Sequence, residues 1–199
     1  MKPIFIIYAT REGHTRKIAE RVAANFGRHG FDTSVKNVRD EIAEIDLSRY
    51  SAAILAASVH LGKHEREMVR FVKEHLAELD CLPNAFLSVT LSEAGVERPG
   101  QSHEVRMRCE AGVREVIDKF VNETGWHPKH VKAIAGALPY TKYNPLLRFV
   151  MKWIAKSEGG DTNTSRDYEY TDWVALDRYI EEFAQESLSL ADGPVSLEV

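Results

Sequence analysis

Six consecutive residues, Thr10-Arg11-Glu12-Gly13-His14-Thr15, bring together two hydroxyls, a glycine and a fixed positive charge. That set suits an anion. Upstream lies a continuous apolar run, 4–9, and downstream an amphipathic stretch, 16–26. An unbroken apolar run is expected of a central parallel strand buried on both faces. A strand that ends in a short hydroxyl- and glycine-containing loop, and opens a helix, makes a cradle for phosphate. The first-turn N–H groups are unpaired there and the positive end of the helix dipole faces the anion. Gly13 allows close backbone approach, the Thr10 and Thr15 hydroxyls can each donate, and Arg11 adds charge. The plainer alternative is a β–α turn in which Thr10 only caps the helix.

The elements needed to hold such a cradle recur along the chain. Strands are expected at 32–38, 52–58, 85–90 and 131–137, and helices at 65–79, 102–124 and 173–186. A short helix or loop is expected at 41–50, a polar loop at 93–101 and a loose tail at 187–199. Alternation of this kind implies a doubly wound α/β fold, a five-stranded parallel sheet with helices on both faces. With 199 residues, 44% of them hydrophobic, one domain over 1–186 can bury a sizeable core. The net charge of −4 is mild and names no partner, nucleic acid included. Cys81 and Cys109 have no metal or redox spacing and read as buried thiols. No metal site is expected. The chain enters its first strand at once, leaving no room for a signal peptide, and no apolar run approaches membrane-spanning length.

No Gly-Lys-Ser/Thr follows Gly13, which excludes a P-loop, and the Gly-x-Gly-x-x-Gly of dinucleotide folds is absent. The Thr-x-x-Gly-x-Thr pattern resembles the FMN-phosphate loop of flavodoxins. Their strand order, 2-1-3-4-5, is the standard example of a sheet whose ligand sits at the switch point between strands 1 and 3. The resemblance therefore implies FMN held by Thr10, Arg11, Glu12, Gly13, His14 and Thr15, with its ring between the loops 58–63 and 90–100. Those loops suit a flavin, which needs apolar contact on its faces and backbone hydrogen bonds at its edge. Ser58, Val59, His60, Leu61 and Gly62 form one wall, with Gly62 freeing a peptide group. Ser88, Thr90 and Leu91 border the other side. The alternative for His60 is an ordinary solvent-exposed loop histidine.

Residues 138–172 form a connection far longer than the usual two to six residues between strand and helix. Asn144 is a suitable N-cap and Pro145 a suitable first helical residue. The helix expected over 145–156 is apolar except for Arg148, Lys152 and Lys156, which fall on one stripe at i, i+4 and i+8. Lys142 joins them against the single Glu158, giving 140–158 a charge of +3 within a chain of −4. At about 18 Å such a helix is too short to cross a bilayer. Its composition fits a membrane interface or a hydrophobic ligand, and the competing reading is an extra core helix with its basic stripe in water.

With this insert beside the FMN loop, the chain resembles the flavodoxin-like, menaquinone-dependent protoporphyrinogen oxidases (dehydrogenases) of bacterial haem synthesis. The resemblance covers 2–183. It rests on the phosphate loop, on Ala57-Ser58-Val59-His60-Leu61-Gly62-Lys63-His64 and on Phe86-Leu87-Ser88-Val89-Thr90-Leu91. It rests also on Ile134-Ala135-Gly136-Ala137-Leu138-Pro139-Tyr140, on Gly159-Gly160-Asp161-Thr162 and on Tyr170-Thr171-Asp172-Trp173. It implies FMN-dependent oxidation of protoporphyrinogen IX, with menaquinone or ubiquinone as acceptor. It also implies a cytoplasmic protein attached peripherally, through 145–156, to the inner face of the membrane. Lys142, Arg148 and Arg166 are candidates to pair with substrate propionates. An NAD(P)H-dependent quinone reductase, a flavodoxin electron carrier and a non-catalytic membrane-docking module are the alternatives. Self-association into a homo-oligomer is left open.

Overall fold

The computed structural model describes residues 2–40, 45–157 and 160–188. Strand β1, Ile4–Ala9, is buried at every position. Its side chains alternate between two cores, as the two-residue period of a strand demands. Ile4, Ile6 and Tyr8 pack on α1 (His14–Arg28) and α7 (Trp173–Ser187), through Ile18, Val22, Phe26, Leu176 and Ile180. Phe5, Ile7 and Ala9 face the other way, toward α2 (Arg66–Glu74), α3 (Leu76–Asp80) and α5 (His103–Thr124). There Met68, Val72, Leu79, Phe120 and Trp126 complete the second core.

The main sheet is parallel. It comprises β2 (Thr33–Asn37), β1, β3 (Ala52–His60), β5 (Asn84–Thr90) and β6 (His130–Ala135), in that spatial order. This is the expected 2-1-3-4-5 arrangement, with one addition. β3 runs two residues past its expected end and folds back as β4 (Lys63–His64), pairing Val59 with His64 and His60 with Lys63. The turn between them places Leu61 at φ 50° and Gly62 at φ 71°. Two consecutive left-handed residues match the twist of a two-residue hairpin. A leucine is rarely found there, which is why 58–63 reads as a simple loop.

Three further segments differ from expectation. The polar loop at 93–101 is instead helical over α4, Leu91–Glu97, with Thr90 Oγ1 accepting from Ser92 N at 3.3 Å as the cap. Gly95 reads as a breaker but is buried within that helix. The helix expected at 65–79 breaks at His75, whose backbone leaves the helical region between α2 and α3. The two thiols do not pair, and the burial expected for both holds for Cys109 alone, since Cys81 is exposed.

The insert is structured. β7 (Ala137–Leu138) and β8 (Tyr168–Glu169) pair antiparallel and close its neck. Between them, a single 3-10 turn (Tyr140–Lys142) leads to α6, Pro145–Ser157. Asn144 Oδ1 accepts from Leu147 N at 2.8 Å, the expected cap. Leu138, Tyr140, Tyr143 and Ala155 form a small separate core with Met151, Tyr168 and Tyr170 around it. Residues 41–44 of the 41–50 segment and 189–199 of the expected tail lie outside the described residues, as do Glu158 and the Gly159 that opens the Gly159-Gly160-Asp161-Thr162 motif.

Candidate active site

The carboxyl ends of β1, β3 and β5 converge, and the cradle sits where they do. Gly13 adopts φ 92° and caps α1 with its backbone alone, so no side chain occupies the helix N-terminus. Thr10 Oγ1 accepts from Gly13 N at 3.0 Å, which fixes the loop and leaves the Thr10 proton to donate. Thr15, in the first turn, is 1% exposed, and its hydroxyl has no hydrogen-bond partner. A buried hydroxyl without a partner costs free energy. A phosphate oxygen at the helix N-terminus would satisfy it, so the residues present fit the phosphate of a flavin nucleotide. A recess of about 60 Å³ lined by Thr10, Thr15, Ser58, Thr90 and Gly136 lies at that point.

Beside this recess opens a larger cavity of about 430 Å³. One side is the hairpin Val59–Gly62 with Thr90 and Leu91. The opposite wall is the insert: Tyr143, Leu147, Val150, Met151 and Ile154. A third side comes from α5, with Gly112, Glu115, Val116 and Lys119. The lining is mostly apolar and carries the charged residues Arg11, Glu12, Glu115 and Lys119, a mix that suits ligands with a large flat face and polar groups.

Behind Arg11 and His60 of that lining lies a residue that sequence reasoning missed. Glu65 is 1% exposed and carries four neighbours. Arg11 Nε donates to it at 2.9 Å, Arg39 Nη2 at 3.3 Å and Ser58 Oγ at 3.4 Å. His60 Nε2 stands 3.3 Å from both Glu65 Oε1 and Glu12 Oε2, without the alignment of a hydrogen bond to either. A buried carboxylate survives only with such partners. In sequence it is an ordinary acid at a helix start, where the dipole favours one, so nothing marks it. Burial opposes ionisation of Glu12, but the His60 imidazole and a backbone N–H outweigh it and hold this carboxyl below its usual value.

The other expected contacts divide. Val59, His60, Leu61, Gly62, Thr90 and Leu91 line the large cavity, and Thr10, Thr15 and Ser58 the recess. His14 borders the recess, yet its Nε2 is bonded at 2.7 Å to Thr171, whose hydroxyl donates to Ala135 O. His14 must therefore donate from Nε2, and burial lowers its pKa despite nearby Glu169. Ser88 stands apart from these: its hydroxyl is fully buried, bonded at 2.9 Å to His64, and lines neither space. The inward register of β5 turns it to the core.

The three cations expected to meet propionates are not gathered. Lys142 lines a separate open groove beyond the phosphate loop. Arg148 leaves the exposed stripe, donating from Nε to Tyr140 O and from Nη2 to Tyr143 O, both at 3.0 Å. The carbonyls of the 3-10 turn need donors, and Arg148 supplies them. Arg166 stacks on Tyr168 at 4.8 Å and donates to its hydroxyl. Lys152 and Lys156 remain exposed beside Leu146, Phe149 and Trp153, which are 76%, 71% and 67% exposed. Among the described residues no His, Cys, Asp or Glu side chains group to hold a metal, and no helix is long and apolar enough to cross a membrane.

Parallel sheet, backbone-capped α1 and orphaned Thr15 hydroxyl together define a flavodoxin-type flavin protein, and the flavodoxin domain family matches residues 5–165. A short-chain flavodoxin associated with a PDU bacterial microcompartment shares the fold, with a TM-score of 0.50 at 11% identity over 94% of this chain and 99% of that one. The chain belongs, more narrowly, to the protoporphyrinogen IX dehydrogenase (quinone) family. It is 33% identical to the Escherichia coli K12 protein of that name, over 95% of this chain and 96% of that one. The Leishmania major protein of the same name is 30% identical, over 95% of this chain and 78% of that one.

Proposed function

We propose that this protein binds one FMN and oxidises protoporphyrinogen IX to protoporphyrin IX, a step of haem synthesis, passing the electrons to a respiratory quinone such as menaquinone or ubiquinone. One observation carries the reading. The insert helix α6 and the flavin-type loops are two walls of the same cavity, so a flat apolar substrate entering there lies against the ring site. Bound FMN supplies the two-electron chemistry, and the six electrons of the tetrapyrrole take three turnovers.

The chain's own part is binding, orientation and exclusion of water. Thr10, Gly13 and Thr15 receive the phosphate. Val59, Leu61 and Leu91 offer apolar contact, and Gly62 a free peptide group at the ring edge. Leu147, Val150, Met151 and Ile154 cover the substrate. The outward stripe Leu146, Phe149 and Trp153, flanked by Lys152 and Lys156, docks on the anionic inner face of the membrane, where the quinone resides. The exposed apolar residues on this helix support that reading.

The deciding measurement is oxidation of protoporphyrinogen IX by the purified flavoprotein with a soluble quinone analogue and no NAD(P)H. Quinone-dependent formation of the fluorescent porphyrin is expected. A requirement for NAD(P)H would instead make it a quinone reductase, and flavin reduction without tetrapyrrole turnover a carrier.

A further inference from the structure

The charged lining of the large cavity is not the set that the insert suggested. Lys142, Arg148 and Arg166 are absent from it, and the full cations present are Arg11 and Lys119. Arg11 is the telling one. Its backbone belongs to the phosphate loop, yet its side chain lines the large cavity and not the recess around Thr15. It is thus turned away from the anion that the loop is built to hold. Buried Glu65 grips its Nε at 2.9 Å and fixes the guanidinium plane. The two Nη groups have no hydrogen bond among the described residues, and the side chain is half-exposed. A guanidinium held by one edge, with the other edge open on a cavity, is a pre-organised fork for a carboxylate.

Lys119 reaches the same cavity from α5. Its partner, Glu115 at 2.6 Å, is the i,i+4 neighbour on an exposed helix surface, the weakest kind of ion pair. A ligand carboxylate can take its place. The third basic group, His60, is already flanked by Glu12 and Glu65. Two cations, set beside the carboxylates Glu12 and Glu115 on a mostly apolar slot, match a flat apolar ligand with two carboxylates.

We infer that Arg11 and Lys119 are the receptors for the two carboxylates of the tetrapyrrole, and that Glu65 is the positioning residue that aims Arg11. The inference rests on the proposed function and adds to it the residues that recognise the substrate's charged edge. It requires that a tetrapyrrole diacid be preferred over its neutral diester, and that this preference reside in these two side chains.

The test is a fluorescence titration of the FMN-loaded protein with protoporphyrin IX and with its dimethyl ester. The parent is expected to bind the diacid on the order of tenfold more tightly, with the margin shrinking as salt rises. Arg11→Gln and Lys119→Gln should each lose several-fold of that preference, and the double variant all of it, with diester affinity unchanged. Lys119→Arg should keep it. Should Arg11→Gln lose flavin, the Lys119 pair of variants carries the test alone, since α5 lies outside the cradle. Variants that retain the parent's diacid preference overturn the inference while leaving the functional reading in place. A parent that binds neither compound and oxidises no tetrapyrrole overturns both.

Discussion

Strand β1 and helix α6 are both rich in large apolar residues, and they treat their side chains in opposite ways. Every residue of β1 is buried, and its two faces feed two separate cores. On α6 the largest side chains, Phe149 and Trp153, stand in water, while only Ala155 is buried among the described residues of the helix. The first pattern is that of a segment selected to fold. The second is unfavourable for an isolated chain and makes sense only if something else covers it. The cradle at the end of β1 is thus built into the scaffold, whereas the insert is a separate tool fastened at a two-residue ladder between Ala137–Leu138 and Tyr168–Glu169.

Removing the tool should break the comparison most sharply. Deleting 141–166 with a short Gly-Ser join keeps β7 and β8, whose paired ends already lie side by side. The product is expected to fold and to retain flavin, as judged by its visible absorbance. Oxidation of protoporphyrinogen with a soluble quinone should fall to background. Activity near that of the parent would move substrate binding away from α6.

The next effect concerns what covers the exposed stripe. Lys152→Glu together with Lys156→Glu leaves Arg148 and its two carbonyl partners intact. Each cation near an anionic surface contributes about 1 kcal/mol, so vesicle binding should weaken at least about 30-fold. Flavin content should not change. Flotation with anionic vesicles equal to the parent's would show that the stripe meets something other than lipid.

The same contrast explains what could be read from sequence. The parallel core announces itself through unbroken apolar runs, and the insert through its length and its Asn144-Pro145 start. The cradle was legible because Thr10, Gly13 and Thr15 are adjacent in the chain. Glu65 was not, because its meaning comes from Arg11 and Arg39, which approach it from the loops that follow β1 and β2. Arg148 misled for a related reason. Helical periodicity placed it on a solvent stripe with Lys152, but the backbone carbonyls it serves appear only once the 3-10 turn has formed. The β3–β4 hairpin escaped because Leu61 occupies a conformation that sequence rules reserve for glycine or asparagine.

Thr15 sharpens the comparison within the scaffold itself. Thr15→Val removes a buried hydroxyl that has no partner in the protein alone. The flavin-free protein should therefore be no less stable in urea than the parent. FMN affinity should nevertheless fall by about 1–3 kcal/mol, the range for losing a hydrogen bond to a charged acceptor. Opposite signs in the two measurements separate a ligand-binding hydroxyl from a structural one. Parallel losses in both would make Thr15 part of the core.

The smallest expected effect distinguishes the two regions by pH. His64 packs edge-on against the stacked pair Phe86 and Phe120, with ring centroids 5.0 Å from each, and burial lowers its pKa from 6.5 to about 4. The folded core thus binds no proton at His64 between those values, while the unfolded chain does. The contribution of His64 to stability is full above pH 6.5 and is lost as pH falls toward 4. From pH 7 to pH 5 that loss is about 2 kcal/mol. His64→Phe keeps the ring but not the titration, so urea midpoints of this variant should fall less over the same interval. The insert responds at the other end of the scale. Burial raises the pKa of Tyr143 and Tyr170 above the usual 10, so both stay neutral under acid and favour the folded insert only until alkali ionises the unfolded chain. Near-ultraviolet spectra of the parent should accordingly keep the insert's tyrosine signals through the acid range where His64 weakens the core. An insert that melts before the core at pH 5 would show that the tyrosine cluster is held by something other than its own burial.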